Sequence, residues 1–299
     1  AVRITQAGPG CARSGALAGS SLAAPVAADL ASAPAWEEAR QRVQATVTGR
    51  LAEAAGAHVS WQHDAERITA PDPAAPVTAG PVVASPGAEG RGVEGRGVEG
   101  PVRAVSPAVA SPAPAVSPVA EAVAYAGADA ITYALARLLP RGPARVDARR
   151  AAAHHLGSPA YAVQYAHAHA ASTQRQAADL GLGRGEAAEF QPRLLAHPSE
   201  QALLNKLSWL PERVAGAARR ARPDVLTHFL EGLARAYFDC QETCPAVWPG
   251  IVVPDGTGRS PAGVAAVQAA AARLWLAAAA RTALGAGLGL LGVGAPDRL

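Results

Sequence analysis

Ser158-Pro159-Ala160-Tyr161-Ala162-Val163-Gln164-Tyr165-Ala166-His167-Ala168-His169-Ala170 is the stretch on which the reading of the whole chain turns. Ser158 suits a helix N-cap, and Pro159 suits the first helical position, where a missing N–H costs nothing. Residues four apart stack along a helix, so Tyr161, Tyr165 and His169 share one stripe and Val163 and His167 a neighbouring one. Two phenols and two imidazoles on one helix stand out in a chain that is only 4% aromatic. From spacing alone, a helix packed by its tyrosines, with histidines bonded at the core edge, is the simpler account.

Working outward, helical patterns follow one another at about 121–138, 147–156, 159–181, 185–196, 199–209, 211–221, 223–243 and 261–290. Pro140, Pro198, Pro211, Pro223 and Pro261 punctuate them. No strand pattern interrupts this block, which predicts an all-α helical bundle over 119–299. Residues 71–118 read as a low-complexity linker, with a Gly-Arg-Gly-Val-Glu tandem over Glu89 to Gly100 and Val-Ser-Pro steps near Ser106, Ser111 and Ser117. Such composition buries too little apolar area to offset ordering entropy, so disorder is expected. Residues 1–70 look partly ordered and mixed α/β. Val2 and Ile4 alternate with polar residues as in an edge strand. Trp36, Val43, Val47, Leu51 and Ala54 stripe a helix that starts near Ser32 and Pro34, and 59–61 and 67–69 are short strand-like pieces.

Bulk properties exclude more than they assign. The 299 residues carry 30 Gly, 25 Pro and a formal charge of +3 with pI near 9.0, too weak a charge to imply nucleic acid. Lys206 is the sole lysine. Cys11, Cys240 and Cys244 are too few for a disulfide framework, and their spacing is not that of a zinc site, so buried reduced thiols are expected. The apolar run Leu274–Val293, broken by Arg281, falls short of the ~18 uncharged residues of a membrane span, and no charged lead and apolar run open the chain. A cytoplasmic protein with no membrane or DNA partner follows. The absence of methionine marks a processed or truncated copy.

The quoted stretch resembles the xPxYYVQYAHAR motif of class I arginyl-tRNA synthetases, where His169 takes the place of the arginine. Gly127 to Leu135 is similar to their GADALRYAL segment, His197 to Leu207 to their next helix, and Gly287 to Leu299 to a terminal GLGLLGVxAPERM. Val2 to Cys11 is similar to a VxIxGPGF close of the N-terminal domain. The resemblance over about 125–299 implies the helical DALR-type anticodon-binding domain, and it implies that 1–70 is a remnant of the N-terminal region. It further implies tRNA-contacting residues at Gln164, Tyr165, His167, Tyr237, Gln241, Arg281 and Leu299, with the anticodon stem-loop as partner. Several of these positions depart from the family: Cys240 and Gln241 replace Phe-Tyr of its FYxxCRV, Thr282 and Ala286 replace Gln and Asn of its RQVLxNGL, and Leu299 replaces the final methionine. Leu226, Leu230, Leu233, Leu274 and Leu284 stay apolar, as packing positions should.

The family's ligase chemistry uses ATP, held by HxGH histidines and a KMSK-type lysine. His58-Val59-Ser60-Trp61 is no HxGH, and Lys206 lies within the helical block. Gly181 to Gly185 reads as a helix end, not a phosphate loop. Asp239 and Glu242 read as a solvated face, and His154, His155, His167 and His169 lack metal-ligand spacing. No catalytic, cofactor or metal residue is assigned. Trp209, Trp248 and Trp275 read as packing or as base-stacking groups, and Arg213, Arg219, Arg220 and Arg222 as a solvated helix end or as phosphate contacts. The expectation is therefore a non-catalytic tRNA binder. The alternatives are a remnant of an arginine–tRNA ligase, or a protein-interaction module with a protein partner.

Overall fold

Long helices with alanine on their inner faces make the body of the molecule. The computed structural model describes residues 1–27, 29–62, 116–248 and 261–299, and at 261 and 262 the backbone alone. The linker repeats, the series at Ser106 and Ser111, and the 67–69 strand piece lie outside the described residues. Ala1–Asp64 and Val116–Leu299 group into one compact unit.

The expected edge strand at the N-terminus is instead a short helix, α1 (Val2–Ala7), followed by a 3-10 turn at Gly8–Ala12. No strand is offered to these residues as a hydrogen-bonding partner. They pack on the last helix of the chain, and local backbone bonds satisfy their amides. β1 (Ser21–Pro25) and β2 (His58–Gln62) pair in parallel, Ser21 opposite His58, across α2 (Trp36–Ala54). The predicted stripe of α2 is its buried face, with Val47 and Leu51 almost wholly enclosed. Arg40 of α2 clamps the far side of the molecule. Its guanidinium donates to Gly142 O at 2.7 Å and to Leu139 O at 3.4 Å, and pairs with Glu37 at 2.6 Å. Residues 1–62 are thereby built into the helical body.

The predicted helix over 121–138 is two helices, α3 (Pro118–Ala126) and α4 (Ala128–Arg137). Gly127 separates them at φ +84°, a conformation a side chain would resist. α5 shrinks to Ala148–Ala151, capped by Asp147 Oδ1, which accepts from the Arg149 and Arg150 amides. α6 runs Pro159–Asp179 as expected. The helix expected over 185–196 does not form: two 3-10 turns, Ala187–Glu189 and Pro192–Leu194, stand there, because Pro192 denies the middle of the segment an amide donor. α7 (Pro198–Ser208), α8 (Leu210–Arg219), α9 (Pro223–Thr243) and α10 (Pro261–Leu291) complete the bundle.

α9 lies at the centre of the bundle. Leu226, Leu230, Leu233 and Tyr237 are buried completely, and Tyr133 of α4 donates to Thr227 O at 3.1 Å. Leu274 and Leu284 of α10 are equally enclosed. Glu200, 1% exposed, accepts the His197 amide at the start of α7 and pairs with Arg273 of α10 at 2.7 Å, so one buried carboxylate serves both a cap and a helix contact. All three cysteines are free and buried, and burial raises the Cys240 thiol to about 12 and the Cys11 thiol to about 11.

α10 is more apolar than its two arginines, Arg273 and Arg281, suggest. Gly263–Leu291 is long and apolar enough by composition to cross a membrane, its most apolar 18-residue window having a mean hydropathy of 1.5. In the fold, 67% of its most apolar window is buried against the other helices, as in the core helix of a bundle. Its tightest approach is at Gly287, where an added Cβ would strike the side chain of Leu230, itself fully enclosed. Gly287→Ala should therefore cost about 1–3 kcal/mol of stability through overpacking, read as a lower denaturation midpoint. An unchanged midpoint would mean that α9 and α10 are not in this register.

Candidate nucleic-acid interface

α6 carries its polar and aromatic residues on two faces, and the faces have different partners. On one face a ladder of rings runs along the helix. His154 stacks on Tyr161 (5.5 Å between centroids, 20° between planes), and Tyr161 on Tyr165 (5.7 Å, 10°). Tyr165 in turn stacks on Phe238 of α9 (5.6 Å, 24°). His169 meets Phe238 and Tyr237 edge-on. The i, i+4 spacing read from the sequence produces this ladder directly, and Tyr161, Tyr165 and Phe238 remain half-buried, with a flank open to solvent. Tyr237 does not share that access. It is 0% exposed, its hydroxyl 2.9 Å from His169 Nδ1, and burial raises its phenol.

The other face of α6 holds the end of the chain. Gln164 Nε2 donates to Gly294 O at 2.9 Å. His167 Nδ1 lies 3.0 Å from Pro296 O, which can only accept, so the proton sits on Nδ1. Arg281 of α10 grips both carboxylate oxygens of Asp297 at 2.8 Å, and Arg175 donates to Asp297 O at 3.1 Å. Asp129 Oδ2 accepts from the Gly294 amide at 2.8 Å, anchoring the tail to α4 as well. The Arg281–Asp297 pair is more than a third exposed on both sides, so its worth is positional. Gln164, His167 and Arg281 are thus brought together around the tail that ends in the 60%-exposed Leu299.

Two clefts of nucleobase size flank the helix. One, of about 410 Å³, is lined by His169, Thr173 and Gln176 of α6 and by Phe238, Gln241 and Glu242 of α9. Phe238 on its wall is the ring on which Tyr165 stacks. The other, of about 350 Å³, gathers His167, Gln174, Arg184 and Arg281 against Thr5 of α1. Arg175 holds the tail on the opposite flank of the turn that supplies Thr173 and Gln176, so the two groups of predicted residues stay on separate faces of α6. Thr173, Gln176 and Phe238 were missed by sequence reasoning, and so was the tail-fixing role of Asp297. A signal for Phe238 existed. Leu226, Leu230, Leu233, Tyr237 and Cys240 form one buried stripe at steps of three and four, which puts Tyr237 inside and leaves 238 and 241 beside it on the open flank.

The basic cluster is largely spent within the protein. Arg222 is bidentate to Asp224 at 2.6 and 2.7 Å, Arg219 meets Glu212 at 2.8 Å, and Arg213 lies over the Trp209 ring at 5.7 Å. Trp209 is 48% exposed, so the packing reading fails for it, whereas Trp275 is buried and donates to Arg184 O at 2.8 Å.

Burial holds the His167 and His169 imidazoles below their ordinary value; for His167 the Pro296 carbonyl opposes this in part. The unfolded imidazoles take a proton near pH ~6.5 and the folded ones only below it, so the unfolded chain binds more protons as pH falls through that value. Stability should be complete above about pH 7 and decline toward pH 5, seen as a falling thermal midpoint. His167→Asn with His169→Gln should flatten that decline; an equally steep curve in the double variant would remove these imidazoles from the account.

Residues 163–299 match the model of the DALR anticodon binding domain. The chain is 38% identical over 177 residues to the arginine–tRNA ligase of Micrococcus luteus, covering 59% of this chain and 30% of that protein. It is 35% identical over 178 residues to that of Paenarthrobacter aurescens, again 59% and 30%. The arginyl-tRNA synthetase of Thermus thermophilus overlaps 60% of this chain and 28% of its own at 28% identity, with a TM-score of 0.43. The chain spans about 30% of the length of the curated relatives it matches. Its helical C-terminal part, with the anchored tail, matches a DALR anticodon binding domain and is similar to the corresponding part of arginine–tRNA ligases.

Proposed function

We propose that this chain binds tRNA by its anticodon stem-loop, and that its action is binding and not chemistry. The match of 163–299 to an anticodon binding domain carries the reading. We place the contact at the cleft between α6 and α9, which Phe238, Gln176 and Gln241 line and beyond which the Tyr161–Tyr165 stack continues from Phe238. Single-stranded RNA loops are read by bases splayed onto aromatic rings and hydrogen-bonded on their edges. Phe238 offers a ring, and Gln176 and Gln241 offer amides that can both donate and accept. Tyr237 supports His169 from within the core. Gln164, His167 and Arg281 act by holding the tail that ends in the exposed Leu299. Such a protein would work in the cytoplasm, where tRNA is charged.

A second reading is favoured by the 30% coverage of the relatives: the chain supplies the anticodon-reading share of an arginine–tRNA ligase whose ATP chemistry lies in the remaining length. ATP-dependent attachment of arginine to tRNA by this chain alone would overturn the non-catalytic proposal.

Titration with an arginine-accepting tRNA transcript should give saturable binding that weakens as salt rises. Gln241→Ala and Gln176→Ala should each weaken it about tenfold, as expected for a lost base-edge contact of ~1–3 kcal/mol. Asp297→Ala, which frees the tail, should weaken it as well. Wild-type affinity in all three variants would place any RNA contact elsewhere.

A further inference from the structure

A larger cleft, of about 830 Å³, shares Leu156 and Phe238 with the α6–α9 cleft and opens between α4, α5, the start of α6 and α9. It contains the start of α6, which departs from its sequence signal. Ser158 sits at the N-cap of α6, yet its side chain caps nothing. Its hydroxyl is buried without a hydrogen-bond partner, and the residue is 1% exposed. The Ser158 main chain is fully engaged, donating to His155 O and accepting from the Ala162 amide, so the hydroxyl alone is left over. The Ala160 amide and that of Tyr161 belong to the first turn, where no preceding residue of the helix can accept from them. Ser158, Pro159 and Ala160 all line the cleft.

The charge around this opening is positive and uncommitted. Arg145, Arg150 and Arg235 line it and pair with no acid among the described residues, while Arg137 is held by Glu231 at 2.7 Å. Asp147 is the other carboxylate there, and it is turned to the start of α5 as that helix's cap. An uncapped helix start, an idle buried hydroxyl and free guanidiniums together match a phosphoryl group, whose oxygens accept from all three. The volume exceeds what a bare oxyanion needs, and Leu138, Val146 and Phe238 supply apolar wall.

We propose that this cleft binds a phosphomonoester on an organic body of about mononucleotide size, with the phosphate at the Ser158 end. The phosphate has two sources, a free nucleotide or a terminal phosphate of RNA, and the test separates them. Ser158→Ala removes no cap and leaves the fold intact, which its unchanged thermal midpoint verifies. The whole chain is titrated calorimetrically with adenosine monophosphate, inorganic phosphate and adenosine. Saturable binding of the monophosphate is expected, with adenosine at least about tenfold weaker, and with Ser158→Ala and Arg235→Ala each weakening it about tenfold, as for a lost charge-assisted bond. If the monophosphate does not bind but both variants weaken tRNA carrying a 5′-phosphate and not tRNA lacking it, the site stands and its source is RNA. If neither monophosphate, inorganic phosphate nor tRNA distinguishes the variants from wild type, the proposal is overturned. Gln241→Ala, which lies in the other cleft, should leave monophosphate binding unchanged, so this site and the base-reading cleft fail or stand separately.

Discussion

The close approach of α6 to α10 is the constraint on which the rest of the structure depends. Ala166 and Ala170 on one helix, and Ala277, Ala280 and Ala283 on the other, are 0% exposed. Side chains of that size let the two backbones come near, and Gly285 admits the His167 ring where a Cβ would crowd it. That proximity lets Arg281 and His167 face the same returning tail. Gly287 extends the same logic to α9, seating against Leu230 and so fixing the third side of the core. Replace the small residues by leucines and the bundle would spread, the tail would lose its partners and both flanking clefts would change width.

Much of this was legible in the sequence, for reasons that differ between elements. α6, α7 and α9 begin at prolines with polar residues near them, and their apolar steps of three and four are regular, so their limits could be read closely. The strand expected at Val2 could not survive, because alternation predicts a strand only when another strand is there to pair with it. The helix expected at 185–196 ignored Pro192, a signal that was present. Ser158 was the right residue in the right position, but its hydroxyl points away from the cap, a choice of rotamer that no pattern of residue types encodes. Within the candidate site, the residues that the family likeness singles out divide between different surroundings in the fold. Gln164, His167 and Arg281 are spent on the protein's own tail, and Tyr237 is core, while Gln241 lines the open cleft and Tyr165 stacks on Phe238 beside it.

Electrostatics here work through a few placed groups. Of the arginines near the α8–α9 corner, those paired with Glu212 and Asp224 contribute little field, and the formal charge of the chain is only +3. Recognition of a polyanion would then lean on shape, stacking and amide hydrogen bonds more than on long-range attraction. The contrast with the α4–α5–α6 opening is plain, since there Arg145, Arg150 and Arg235 pair with no acid among the described residues. Charge is concentrated where a small ligand fits and diluted where a folded RNA would lie.

The alanine seam between α6 and α10 also carries a thermodynamic consequence. A methyl group exposes far less apolar area on unfolding than a leucine side chain, and the heat-capacity increment follows that area. A core built this way has a smaller increment per residue than a leucine-rich one, hence a broader, flatter curve of stability against temperature and a milder response to cold.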